Sequence, residues 1–467
     1  MILVRHLPKQ SYGIYLQIMF LANVVMSVLS IGMPRSIYYF MPRVTNKKKF
    51  VFHSFLITNA LGLLALIVII TGRAKIGMLF NNTDIVIGLC FLAFYVFLST
   101  NREIYSSVLL STGNGKTLAF AGVILSILFL VSIMTPLFLR LGLLGIFWGI
   151  LVFYVVQYAV TGFLALRNAE GNLSGIVHSE CLAEQLKYML PLGAISLVSL
   201  FSSSIDRLIV TFFMGIDNFA LYDRGAMKIP VISSLSITVG AVIMPKLVDY
   251  YKNNNIKELL RIWHVSIEKV ALIIFPCFVF LFIFAQQIIT LLYTDAFENS
   301  VIIFRIYLLI LLFSLTIYGN IFNATNRNTW FLCIHVMSVL LYAPLCLMMV
   351  KLYGNTGPAV ATVMLYVGLS VANLLTIKHI LSVKIKDVFP WGFLSKLMVC
   401  SIVSGIIPFF IGNMIDLPKF LILLICFPVY FFTYYFIADH FSMIKEDDKQ
   451  TIFKWTGINW MRKQMST

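Results

Sequence analysis

Long apolar runs, each bounded by a short polar or charged segment, recur along the whole chain. A bilayer core about 30 Å thick is crossed by about 20 apolar residues in a helix, because backbone groups left unpaired in hydrocarbon are too costly. Thirteen runs meet that length: 14–41, 51–71, 84–110, 118–139, 143–166, 187–213, 218–244, 263–292, 299–323, 330–350, 355–381, 393–413 and 418–438. The longest polar pieces, 167–186 and 439–467, are too short for a separate folded domain of typical size. The pattern predicts an all-α polytopic membrane protein with about 13 transmembrane helices.

The runs are not independent of one another, because special residues recur at a separation of about 211. Met33-Pro34-Arg35 returns as Met244-Pro245-Lys246, the stretch from Tyr105 to Thr112 as Tyr318 to Thr325, and Gly142-x-x-Gly145 as Gly354-x-x-Gly357. Two six-helix repeats are therefore expected. An even number of spans in each period gives both halves one orientation, related by an axis along the membrane normal. The expected organisation is an N-terminal lobe at 1–166, a linker at 167–186, a second lobe at 187–381, two additional spans within 382–438 and a tail at 439–467. The counterpart of 187–213 falls upstream of Met1, so the first repeat is expected to lack its first helix, leaving an incomplete lobe unless an upstream helix is encoded.

Composition sharpens this picture. Of 467 residues 60% are hydrophobic and only 12% charged, whereas soluble domains carry roughly a quarter charged residues; a soluble enzyme is excluded. The net charge of +16 would suggest a nucleic-acid partner in a soluble chain, but most Lys and Arg sit in the short inter-span segments, so no nucleic acid is expected. Twenty-one lie on one side of the predicted membrane, including Lys47, Lys48, Lys49, Lys257, Arg261 and Lys386, against seven on the other. The cytoplasmic side holds the excess, which places the C-terminus in the cytoplasm. The seven cysteines include no C-x-x-C pair and the seven histidines no paired-ligand spacing, so neither a metal nor a cofactor is expected. Gly115-Lys116-Thr117 resembles the end of a phosphate-binding loop, but Leu110 stands where the first glycine is required.

Ionisable groups at membrane depth are costly and tend to mark transport pathways. Arg35, Arg102, Glu103, Glu268 and Lys269 lie towards the cytoplasmic ends of their spans, and Asp206, Arg207, Asp223, Arg224, Lys228 and Arg305 towards the outer ends. Seven are basic and four acidic, so a cavity lined by most of them would be positive and would suit an anionic headgroup, with Arg offering two parallel bonds to phosphate. Arg35, Arg102, Arg207, Arg224, Lys228 and Arg305 are the substrate-binding candidates; Asp206, Asp223, Glu103 and Glu268 are candidates to carry a coupling proton or sodium ion. The alternative for each is snorkelling to the interface or pairing with a neighbour.

Residues 7–43 contain Leu7-Pro8, Tyr12-Gly13-Ile14-Tyr15, Gly32 and Arg35, and farther on stand Ile205-Asp206-Arg207-Leu208-Ile209 and Ala220-Leu221-Tyr222. In these features the chain resembles the polysaccharide biosynthesis family of oligosaccharide flippases, the Wzx type, within the multidrug/oligosaccharidyl-lipid/polysaccharide exporter superfamily. The resemblance implies two six-helix lobes around a central cavity and 12 or 14 spans. It implies a flippase rather than an enzyme, moving a polyprenyl-diphosphate-linked oligosaccharide across the cytoplasmic (inner) membrane by alternating access. The product would feed O-antigen, capsule or exopolysaccharide assembly, with membrane lipids and other polysaccharide-assembly proteins as partners. A cation-coupled multidrug exporter of the same superfamily is the nearest alternative, and should have a more acidic cavity. A membrane polysaccharide polymerase is a more distant one.

Overall fold

With no water to satisfy the backbone inside hydrocarbon, a chain of apolar runs pairs its amides within helices. The computed structural model describes residues 2–30, 32–79, 85–172, 179–227, 229–414 and 417–446. Among these residues every regular element is an α-helix or a 3-10 turn, as an all-α polytopic membrane fold requires. The chain forms two compact units, Met1–Asp223 with Cys346–Val350, and Arg224–Leu345 with Lys351–Thr467.

The first unit contains α1 (Ile2–His6), α2 (Lys9–Ser30), α3 (Met33–Phe40), α4 (Lys47–Leu79), α5 (Ile85–Ser99), α6 (Asn101–Ser111), α7 (Gly115–Phe138), α8 (Gly142–Arg167) and α9 (Ser179–Phe213), with most of α10 (Gly215–Gly225). Without a hydrophobic drive between helices in lipid, close packing falls to small residues. A Cβ added at Gly149 on α8 would lie 2.2 Å from the Ser132 carbonyl oxygen of α7, and one at Gly88 on α5 would lie 2.8 Å from the Ile18 side chain of α2. At one end of this unit, the turn before α4 is clasped to the segment after α8. Asn46 Nδ2 donates to the Asn172 carbonyl at 2.8 Å, Lys47 pairs with Glu170 at 2.7 Å, and Lys48 N donates to the Glu170 carbonyl at 2.8 Å. Gly171, at φ +113°, permits this approach, since a Cβ there would meet Asn46 Oδ1 at 2.3 Å.

Helix α9 begins inside the stretch that sequence polarity assigns to a linker, 167–186, and its first turns are built into the first unit. Gln185 is fully buried and its Nε2 donates to Ser36 Oγ of α3 at 3.1 Å and Ser54 Oγ of α4 at 3.0 Å. Met189, one turn on, joins the core of Met33, Ile37, Phe50, Val51 and Tyr105. Farther along, Phe219 of α10 lies 5.7 Å from the Phe20 ring of α2. Packing therefore groups residues up to Asp223 with the first unit, whereas internal similarity opens the second repeat at 187; the two divisions of the chain are distinct.

The second unit contains α11 (Pro230–Lys252), α12 (Ile256–Ile283), α13 (Ala285–Tyr293), α14 (Ser300–Leu308), α15 (Gly319–Ala324), α16 (Asn328–Tyr353), α17 (Gly357–Leu381), α18 (Ile385–Val388), α19 (Trp391–Ser404), α20 (Ile406–Met414) and α21 (Lys419–His440). Trp263, Ile267 and Ile274 of α12 form the spine of its core with Phe322, Ile377, Leu397 and Ala438. The C-terminal pair of spans is thus part of this core, and Tyr434 OH donates to the Leu272 carbonyl at 2.9 Å.

The turns at the repeat landmarks use the same devices. Asn46 Oδ1 accepts from Lys49 N at 3.0 Å to cap α4, and Asn255 Oδ1 accepts from Glu258 N at 3.2 Å to cap α12. Helix α6 ends with Thr112 Oγ1 bonded to the Val108 carbonyl and a left-handed Gly113, and α15 ends with Thr325 Oγ1 bonded to the Ile321 carbonyl and a left-handed Asn326. Gly142 and Gly354, at φ +66° and +53°, open the following turns. The Met-Pro landmark behaves differently. Gly32, at φ +73°, ends one helix before Pro34 opens the next, whereas Ile243 in the corresponding place lets α11 run on through Pro245.

Nine stretches among the described residues are long and apolar enough to cross a bilayer, and the 54-residue stretch Asn328–Leu381 holds two of the predicted spans. Ten of the thirteen predicted spans overlap these nine. The other three take different forms: 187–213 lies within the continuous helix α9, which carries Asp206-Arg207 near its end, 218–244 is divided between α10 and α11, and in 299–323 a 3-10 turn at Leu309–Phe313 separates α14 from α15.

Candidate translocation-site residues

Those three spans carry six of the candidate residues. Between α9 and α10 the chain turns at Met214 and Gly215, the glycine at φ +78° supplying a left-handed conformation that a side chain would resist. The reversal sets α10 beside the end of α9 with a constant register of sixteen residues. Tyr222 OH donates to Asp206 Oδ2 at 2.8 Å, and Arg207 Nε pairs with Asp223 Oδ1 at 3.0 Å. Asp206 is 1% exposed and Tyr222 fully buried, while the Arg207 and Asp223 side chains are 16% and 17% exposed. Each charge in this cluster has a partner, as burial demands. The Arg207 guanidinium, paired with Asp223, would offer that nitrogen to an anion only by leaving the carboxylate.

The other candidates do not join it within the first unit. Arg102 and Glu103, in the first turn of α6, are exposed, and Glu103 borders a narrow cleft with Met26, Ser30, Met33 and Thr58. Arg35 lies in α3, with its side chain outside the described residues. In the second unit, the Arg224 guanidinium lies 5.3 Å from the centre of the Tyr293 ring. Arg305 lies 5.7 Å from the centre of the Phe282 ring and donates from Nε to the Phe282 carbonyl at 3.3 Å. Glu268 pairs with Lys445 at 3.0 Å. Lys228 lies outside the described residues. Candidates are thus held by local partners in several places, and among the described residues no three His, Cys, Asp or Glu side chains converge as a metal site.

Three participants escape a survey of ionisable groups within the apolar runs. Tyr222 is neutral at ordinary pH, Lys445 lies beyond the last run, and Gln185 sits in a stretch too polar to read as a span. The shared spacing of 206 to 222 and 207 to 223 is the signal that could have found the first.

These features define a multi-pass helical membrane protein with paired charges inside its spans. The chain belongs to the polysaccharide biosynthesis protein family, which residues 2–302 match. Among solved structures, the chain is similar to the lipid II flippase MurJ in an inward closed conformation, at 16% identity over 93% of each chain with a TM-score of 0.73. It is also similar to an inward-facing multidrug resistance MATE family transporter of the MOP superfamily, at 15% identity over 80% of this chain and 90% of that one with a TM-score of 0.60. The MATE transporter VcmN of Vibrio cholerae in its bent form matches at 16% identity over 80% and 88%, with a TM-score of 0.50. No curated protein matches the sequence. At such identities the likeness is one of fold.

Proposed function

We propose that the protein is a flippase that carries a polyprenyl-diphosphate-linked oligosaccharide from the cytoplasmic to the outer leaflet of the cytoplasmic membrane, for assembly of a surface polysaccharide such as O-antigen. Family membership carries this reading: a polysaccharide biosynthesis protein built of membrane helices handles glycan at the membrane, and the likeness in fold to a lipid II flippase over 93% of both chains supports a lipid-linked substrate. No bond is made or broken, so the chain acts as a transporter rather than an enzyme. The Lys and Arg bias of the loops supports a cytoplasmic C-terminus.

The Arg207–Asp223 pair is the proposed gate for charge. A proton or sodium ion at Asp223 would weaken its hold on Arg207, freeing a planar fork for the diphosphate, while Tyr222 and Asp206 keep α10 in register. The repeats 1–166 and 187–381 are the proposed moving parts of alternating access. The likeness in fold to MATE transporters favours drug export as a second reading. Deleting the gene and locating the lipid-linked glycan separates the two: accumulation on the cytoplasmic face supports the flippase, and unchanged glycan with heightened drug sensitivity supports the exporter. Arg207→Lys, which keeps the charge and removes the fork, should leave the protein inserted while lowering surface polysaccharide.

A further inference from the structure

In the second unit, an open cavity of about 580 Å³ lies against the first turns of α12 and the bend between α18 and α19, within the roughly 300–1,000 Å³ of ordinary ligand pockets. Its wall is shaped by two tethers. His264 Nε2 lies 3.1 Å from the Val388 carbonyl, which pins α18 to α12, and Trp391 Nε1 donates to the Ile385 carbonyl at 3.4 Å. Lys257 and Arg261 from α12 and Lys386 from α18 border the cavity, all exposed, against the single carboxylate of Asp387. Glu258 engages Arg261 through Nε at 2.7 Å, one of the five N–H donors of the guanidinium.

The position narrows the occupant. Two membrane-crossing stretches, Ile256–Ile283 and Trp391–Gly412, begin at this cavity, so it lies where helices pass from hydrocarbon to water. Trp391 is 48% exposed at that level, the depth at which tryptophan is enriched, and Phe389 and Phe393 add apolar lining. A lining of exposed cations and aromatic rings suits a molecule with a phosphate head and an apolar body. Basic pockets between membrane helices bind such headgroups.

We propose that this pocket binds the phosphate headgroup of an anionic membrane phospholipid. The site is separate from the Asp206–Asp223 cluster and needs no assumption about the transported substrate. The test uses the full-length protein and native mass spectrometry, with phosphatidylglycerol and phosphatidylcholine as probes. Phosphatidylglycerol should be retained in preference. Lys257→Ala and Lys386→Ala should each weaken its retention about fivefold, and the pair together about 25-fold, with Lys386→Arg close to wild type. Thermal melting of the variants, whose side chains are exposed, should stay near wild type. Equal retention of both lipids, or undiminished phosphatidylglycerol on the double variant, would overturn the proposal. Displacement of the lipid by inorganic phosphate at equal concentration would also overturn it, assigning the pocket to a soluble anion.

Discussion

The two expected repeats, 1–166 and 187–381, turn corners alike and differ in the charges their spans carry. Asn46 and Asn255 cap equivalent helices, Gly113 and Asn326 end equivalent ones, and Gly142 and Gly354 open the next turns in the left-handed region. Yet of the ionisable groups at membrane depth only Arg35, Arg102 and Glu103 lie in the first of these repeats, whereas Asp206, Arg207, Asp223, Arg224, Lys228, Glu268, Lys269 and Arg305 lie in the second. At a separation of 211, Asp223 and Arg224 stand where the first repeat has Tyr12 and Gly13. Loop chemistry fixes the path of the chain and was kept in both copies, while the costly groups were concentrated in one. A transporter that needs titratable side chains at membrane depth can place them in half of its structure and leave the other half as scaffold.

The comparison can be broken most severely at the charged cluster. Arg207→Ala removes the ion pair to Asp223 and should cost about 3 kcal/mol, the low end for removing one member of a buried pair, given the residual exposure here. Removing both, Arg207→Ala with Asp223→Ala, should be less costly than the single change, as measured by thermal melting of the detergent-purified protein. Additive losses would show that the pair is not coupled. A smaller effect is expected where the copies differ in packing. Gly149→Ala pushes a Cβ against the Ser132 carbonyl and should cost about 1–3 kcal/mol; the corresponding Ala361 is fully buried with its Cβ accommodated, and Ala361→Gly should cost about 1 kcal/mol. Where the copies agree, the effects should match: Gly142→Ala and Gly354→Ala should each lower stability by about 1 kcal/mol, since both require positive φ. Unequal losses would show that one turn is held by other contacts.

The smallest effect belongs to the clasp of the first unit. The Lys47 ammonium, by hydrogen bond and charge, holds the Glu170 carboxyl below its ordinary value of 4.5. A depressed carboxyl stabilises the fold above its unfolded value and loses that contribution as pH falls through the depressed one. Melting temperature should therefore show a slight decline below about pH 4.5 that Glu170→Gln abolishes, and full exposure of Glu170 keeps the effect small.

Much of this was legible from periodicity. Helix in every run and the landmark turns follow from length, apolarity and the residues Asn, Gly and Thr at helix ends. The start of α9 is hidden because Glu184 and Gln185 read as linker, although Gln185 is buried against Ser36 and Ser54; a polar residue with two hydroxyl acceptors is as much at home inside as an apolar one. Charge at a site depends on which groups meet, and a count of charges along the runs does not record that. Arg305 rests on Phe282 and Glu268 on Lys445, while the cluster that does assemble holds two carboxylates. Such pairings depend on how helices reverse, which no single run records.

The reversal at Gly215 also acts as a ruler. Both bonds across it, Asp206 to Tyr222 and Arg207 to Asp223, span the same sixteen residues, so inserting or deleting one residue between them would rotate α10 by about 100° and sever both together. Point substitutions at exposed positions of this hairpin, such as Phe212 and Phe213, can be absorbed one at a time, but a change in length cannot. Genetic drift at this hairpin is therefore free to alter spelling and barred from altering count, and an in-frame codon deletion there should act as a null allele even where each residue it removes is individually replaceable.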